Sequence, residues 1–263
     1  MVISVMSTKN IIVFGQTGAG KSSVVNLMAG QQRARTSSST ERCTMHWEAH
    51  SIVIDGSTFR VFDTIGLEEH QLGMEEYLDA IENAYTLIKK LKDEGGIHLL
   101  LFCVRAGRLT STILENYRLF YECICEKKVP IILVLTGFER EQNMDDWWYK
   151  YKLTFDKYGI VLDGHACINA ANGPDEMQQR LYEESRHLVR NLVTRCTRTD
   201  VGYKRDDRSK GGKKSKWGNE WKLLELLPGN HTPKKKDIIH VLTKRCGMPQ
   251  QAAVQLAKQI KLK

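Results

Sequence analysis

The chain has 263 residues, 41% of them hydrophobic and 27% charged. That length buries a full core without disulfide or metal staples, and the balance excludes a collagen-like or largely disordered chain. The formal net charge of +8 is uneven: residues 200–263 carry sixteen Lys/Arg against six Asp/Glu, and residues 1–199 carry twenty-three against twenty-five. The basic character belongs to the tail, so nucleic acid is not an expected partner of residues 1–199.

In chain order, Ile11–Phe14 is a short apolar run ending at Gly15, and reads as a buried strand entering a glycine-rich loop. Residues 22–29 have helical spacing and stop at Gly30. Residues 31–42 are polar and aperiodic, a loop. Two runs, Trp47–Ile54 and Thr58–Phe62, flank Asp55-Gly56, a hairpin signal. A helix is expected over Met74–Leu91, with Leu78, Ile81, Tyr85, Ile88 and Leu91 on one face. Strand Ile97–Val104, helix Thr112–Lys128, strand Ile131–Leu135, helix Asp145–Tyr158, strand Ala166–Asn169 and helix Asp175–Thr194 follow. Strands alternating with helices after one hairpin give an α/β fold, a mostly parallel sheet with helices on both faces. Ligands of such sheets bind at the carboxyl ends of the strands.

Composition changes near residue 200. Residues 204–218 read as a solvated linker, Trp221–Leu227 as an apolar island, and Asp237–Arg245 and Pro249–Ile260 as two short helices. The expected division is residues 1–199 as one domain and 200–263 as a basic extension. No run approaches the roughly 18 apolar residues of a membrane span, and Met1–Asn10 lacks the pattern of a secretory leader. Seven cysteines, an odd number with no CxxC, read as reduced thiols, and a cytoplasmic location is expected.

The segment Gly15-Gln16-Thr17-Gly18-Ala19-Gly20-Lys21-Ser22 fits GxxxxGK[ST] between a strand and a helix. Backbone amides over Gln16–Ser23 would converge on phosphate oxygens; Lys21 would reach the β- and γ-phosphates and Ser22 would ligate Mg²⁺. Asp63-Thr64-Ile65-Gly66 is DxxG at another strand end, with Asp63 serving the metal and Gly66 sensing the γ-phosphate. After a phosphate loop and a hairpin, that motif points to a GTPase. In the base-reading loop, where NKxD is usual, stands Thr136-Gly137-Phe138-Glu139. Thr136 would take the place of the Asn, and the Glu139 carboxylate would accept from the guanine edge. Asn169-Ala170-Ala171 would offer a backbone N–H to the guanine O6. Trp147, Trp148, Tyr149, Tyr151 and Phe155 read first as helix packing and second as a base cap or interface. His46 and His50 read as solvated residues on one strand face.

These elements resemble the G domain of the immunity-associated (GIMAP-type) family, whose wider relatives include septins and the Toc chloroplast import receptors. The resemblance rests on GQTGAGKSS (Gly15–Ser23), SSTERC (Ser38–Cys43), DTIGL (Asp63–Leu67), Ala106-Gly107-Arg108-Leu109-Thr110, similar to a GR[FY]T box, and TGFE. It implies a P-loop NTPase fold of the Ras-like kind, and Mg²⁺ with GTP or GDP as ligand. It places the switch threonine at Thr40, with Thr44 as the alternative, and implies homodimers meeting across the nucleotide with Arg108 assisting in trans. Ile65 replaces the usual Pro, and TGFE lacks the Lys whose stem packs on the base. Leu67 stands where other GTPases orient water with Gln, so intrinsic turnover at or below about 10⁻⁴ s⁻¹ is expected. A GTP-gated scaffold without useful hydrolysis is the alternative. An anionic membrane or a protein is the candidate partner of the basic tail.

Overall fold

The computed structural model describes residues 8–31, 47–64, 83–84, 87–88, 90–91, 94–125, 127–139, 141, 143–198, 235–244 and 250–259. Six strands form one sheet: β1 (Lys9–Gly15), β2 (Trp47–Ile54), β3 (Ser57–Thr64), β4 (Leu99–Arg105), β5 (Ile131–Thr136) and β6 (Gly164–Cys167), in the order β2-β3-β1-β4-β5-β6. The β2–β3 pair is the expected antiparallel hairpin, and every other pair is parallel. Register brings the carboxyl ends to one edge: Val13 lies opposite Asp63, Gly15 opposite Cys103, Arg105 opposite Thr136 and Leu135 opposite Cys167.

The central strands read as unbroken apolar runs because both faces are covered. On one face Ile11, Val13, Leu99, Leu101 and Cys103 meet α1 (Lys21–Ala29) and the helix Glu176–Cys196. On the other, Phe14 stacks between Phe102 and Phe120, with ring centroids 4.9 and 4.5 Å away. Within the expected helix Met74–Leu91, the described residues Asn83, Ala84, Leu87, Ile88, Lys90 and Leu91 are helical, and Ala84, Leu87, Ile88 and Leu91 form a buried stripe.

The expected helix Thr112–Lys128 takes two forms, α2 (Ser111–Tyr117) and then a π-helical stretch, Arg118–Ile124. Leu119, Phe120 and Tyr121 within this stretch are all buried. Helix α3 spans Asp145–Lys157 and α4 spans Glu176–Cys196, with Asp175 accepting from the Gln178 amide at 2.7 Å as its N-cap. Strand β6 ends at Cys167, short of the expected Asn169, because the Asn169 amide leaves the ladder for the Ser185 hydroxyl. In the extension, α5 (Lys235–Lys244) and α6 (Gln250–Gln259) contribute Leu242, Ala253 and Ala257 to the same buried cluster as Phe14 and Phe102.

Candidate nucleotide-binding site

The loop leaving β1 turns back under its own backbone. Gly15 has φ +147°, and a Cβ there would collide with the carbonyl oxygen of Cys103 on β4, so no other residue fits. Gly20 precedes α1 as an N-cap without a side-chain partner, which leaves amides at the helix start directed at the loop's concavity. Lys21 is 8% exposed, and its ammonium donates to the carbonyls of Gln16 at 2.8 Å and Gly15 at 3.2 Å. The cation is thereby held inside the loop, where phosphate charge would lie.

β3 delivers Asp63 to this loop. Ser22 Oγ donates to Asp63 Oδ2 at 2.6 Å, joining the two expected metal ligands. Asp63 is 9% exposed, and burial pushes its pKa above the ordinary carboxylate range. The Ser22 hydrogen bond and the charges of Lys21 and His50 act against that rise. Asp63 Oδ1 is buried with no hydrogen-bond partner among the described residues. An orphaned carboxylate oxygen beside a hydroxyl is a hard-oxygen donor set and fits Mg²⁺, which is commonly held by one or two carboxylates together with substrate phosphates.

His50, expected in solvent, is buried. It points inward with Ile52 and Ile54 on alternate positions of β2, and its Nε2 lies 3.5 Å from Glu48 Oε2. Alternation on the hairpin, read strictly, would have placed it there.

The loop after β4 carries Arg108, which is exposed. Two residues on, Thr110 caps α2 by accepting from the Ile113 amide at 3.3 Å, and also accepts from Gln16 Nε2 of the phosphate loop at 3.0 Å. The sequence reading missed Thr110 as a bridge. A threonine just before a helix was the available signal.

Thr136, at the end of β5, is buried and donates to the Ala19 carbonyl at 3.0 Å. Its hydroxyl hydrogen therefore holds the phosphate loop against β5 and is not directed at a base. Glu139 is half-buried, with no hydrogen bond or ion pair to its carboxylate among the described residues, so its acceptor oxygens remain available. In the last loop Asn169 is fully buried: its amide donates to Ser185 Oγ at 2.9 Å, and its Oδ1 accepts from the Ala171 amide at 3.0 Å. Both of those backbone amides are therefore engaged within the protein. Thr40, Thr44 and Gly66, with Ile65 and Leu67, lie outside the described residues, as does the SSTERC segment.

The aromatic group serves mainly as packing. Trp148 is buried and stacks on His165 at 4.2 Å between ring centroids, and burial holds that imidazole below its usual pKa. Trp147 stacks on Tyr151 at 4.4 Å and meets buried Phe138 edge-on at 6.4 Å.

An aspartate from the strand beside β1 reaching the helix that β1 opens, in this strand order, defines the P-loop GTPase α/β fold. Residues 9–154 match the AIG1 family model, and the chain belongs to that family, as the immunity-associated motifs imply. Two relatives come from Arabidopsis thaliana. Immune-associated nucleotide-binding protein 7 is 32% identical over 201 residues, covering 74% of this chain and 62% of that protein. Immune-associated nucleotide-binding protein 10 is 30% identical over 147 residues, covering 53% of this chain and 31% of that protein. The chain thus spans less than two thirds of the length of either relative. Among solved structures, Arabidopsis thaliana Toc33 in complex with GDP and Mg²⁺ superposes with a TM-score of 0.50 at 18% identity, covering 76% of this chain and 89% of that one. A structure from work on the chloroplast translocon components atToc33 and psToc159 gives 0.50 at 21% identity, covering 74% and 85%. These likenesses establish the fold.

Proposed function

We propose that residues 1–199 are a cytoplasmic G domain that binds GTP and GDP with Mg²⁺ and hydrolyses GTP slowly, with activation through a homodimer formed across the nucleotide. The observation that carries this reading is the Ser22–Asp63 hydrogen bond of 2.6 Å, beside an Asp63 Oδ1 with no partner among the described residues and the inward ammonium of Lys21. In this reading the amides over Gln16–Ser23 cradle the phosphates, and Lys21 exchanges loop carbonyls for phosphate oxygens. Ser22, Asp63 and Thr40 hold the metal, Gly66 senses the γ-phosphate, and Glu139 and the Ala170 amide read the guanine edge. Mg²⁺, when bound, neutralises charge developing on the phosphates.

With Leu67 unable to orient water, the missing transition-state charge is assigned to Arg108 of a second copy, worth about 10³–10⁵ in rate for such arginines. Two observations support this: Arg108 is exposed, and its loop is tied to the phosphate loop through Thr110. The structural study of atToc33 and psToc159 describes dimerisation as important for the GTPase activity of those proteins. The test is phosphate release over a protein concentration series. Specific activity should rise with concentration in the wild type and stay flat in Arg108→Ala. A flat wild-type series favours the second reading, a GTP-gated scaffold without useful turnover, to which Leu67 points. The basic extension is assigned to an anionic membrane or protein partner.

A further inference from the structure

Arg105, the last residue of β4, lies across Gly137. A Cβ placed on Gly137 would come 3.2 Å from Arg105 Cγ and 3.5 Å from its Nε. Gly137 has φ +94°, in the region that side chains disfavour, so the loop after β5 offers bare backbone there and the arginine stem covers it. Arg105 pairs with Thr136 in the β4–β5 ladder, and the next residue's amide, Ala106, donates to the Thr136 carbonyl at 2.8 Å. Paired residues of adjacent strands share a face, so Arg105 is on the side where Thr136 holds Ala19 of the phosphate loop. Arg105 is an exposed residue, and its guanidinium makes no hydrogen bond or ion pair with the described residues. A nucleotide running from the phosphate loop to Glu139 would pass along this side of Gly137.

We propose that Arg105 stacks its guanidinium on the face of the nucleotide base, supplying the contact that a TGFE loop with glycine at its second position cannot make. The inference rests on the nucleotide-binding reading of this site. A planar, always-charged guanidinium is suited to the face of a purine, where it gains cation–π and stacking energy whatever the edge substituents. Affinity for the base thus divides between two residues: Arg105 holds its face and Glu139 reads its edge.

The test is competition against fluorescent GTP, with Mg²⁺, by GTP, ITP and inorganic tripolyphosphate, on the wild type, Arg105→Ala and Arg105→Lys. Arg105→Ala should weaken GTP and ITP alike by roughly five- to thirtyfold and leave tripolyphosphate unchanged. Arg105→Lys, which keeps the charge but not the plane, should recover little of that loss. Equal weakening of tripolyphosphate would overturn the proposal in favour of a phosphate contact. Unchanged GTP affinity in Arg105→Ala, or full affinity in Arg105→Lys, would overturn it as well. A wild type that fails to bind GTP would instead remove the site reading beneath it.

Discussion

Gln16, in the phosphate loop, donates its side-chain amide to Oγ1 of Thr110 at 3.0 Å, although 94 residues separate them. Neighbouring strands make this possible. β1 and β4 pair with Gly15 opposite Cys103, so their loops leave the same edge of the sheet. Through this bond the loop carrying Arg108 is fixed to the loop that would hold phosphate.

Replacing Thr110 by Val removes both the α2 cap and the bridge. The expected destabilisation is about 1–2 kcal/mol, read as a lowered urea midpoint, with Thr110→Ser close to the wild type. A Thr110→Val midpoint equal to the wild type would show that neither hydrogen bond contributes.

Gly15→Ala forces a Cβ into the Cys103 carbonyl at a left-handed φ. A loss of about 2 kcal/mol or more is expected, together with loss of nucleotide binding. Thermal unfolding with and without GTP measures both, and an unshifted midpoint would contradict the close approach of the two strands.

Asp63 sets a pH dependence of definite sign. Burial raises its folded-state pKa, so as pH rises the unfolded chain loses this proton first and the folded state is penalised. In EDTA, wild-type stability should fall relative to Asp63→Asn as pH climbs from the ordinary carboxylate range through the raised folded value. With Mg²⁺ and GTP, the ranking should reverse, Asp63→Asn losing affinity on the order of 10–100-fold. Parallel pH profiles of the two proteins in EDTA would refute the buried-carboxylate account.

Burial pushes the Cys103 and Cys167 thiols up to about 12. Both should resist iodoacetamide at pH 8 in the folded protein and react only on unfolding, as peptide mass spectrometry can follow. Rapid labelling of either in native protein would contradict their placement in the core.

The phosphate loop, the hairpin and the parallel strands were legible in the sequence because each is local. GxxxxGK[ST] needs only its own eight residues, and Leu99–Val104 is apolar because both its faces are covered. What was not legible depended on contacts across the sheet. Thr136 stands in the place of the Asn of NKxD, but no local pattern shows that its hydroxyl reaches Ala19, 117 residues away. The roles of Thr110 and Arg105 follow from strand order, which no local pattern prints. His50, expected in solvent, follows instead the alternation of β2 that buries it with Ile52 and Ile54. The helix Thr112–Lys128 had the right apolar content, but its period does not foretell a widened turn at Arg118.

The central claim is that this site holds a guanine nucleotide through Lys21 and Glu139. It is tested most directly by titrating fluorescent GTP, GDP and ATP with Mg²⁺ into the wild type, Lys21→Ala and Glu139→Ala. The account predicts that GTP and GDP bind and ATP does not, that Lys21→Ala abolishes binding, and that Glu139→Ala loses the preference for guanine. Equal binding of ATP by the wild type, or an unaltered Lys21→Ala, would contradict it.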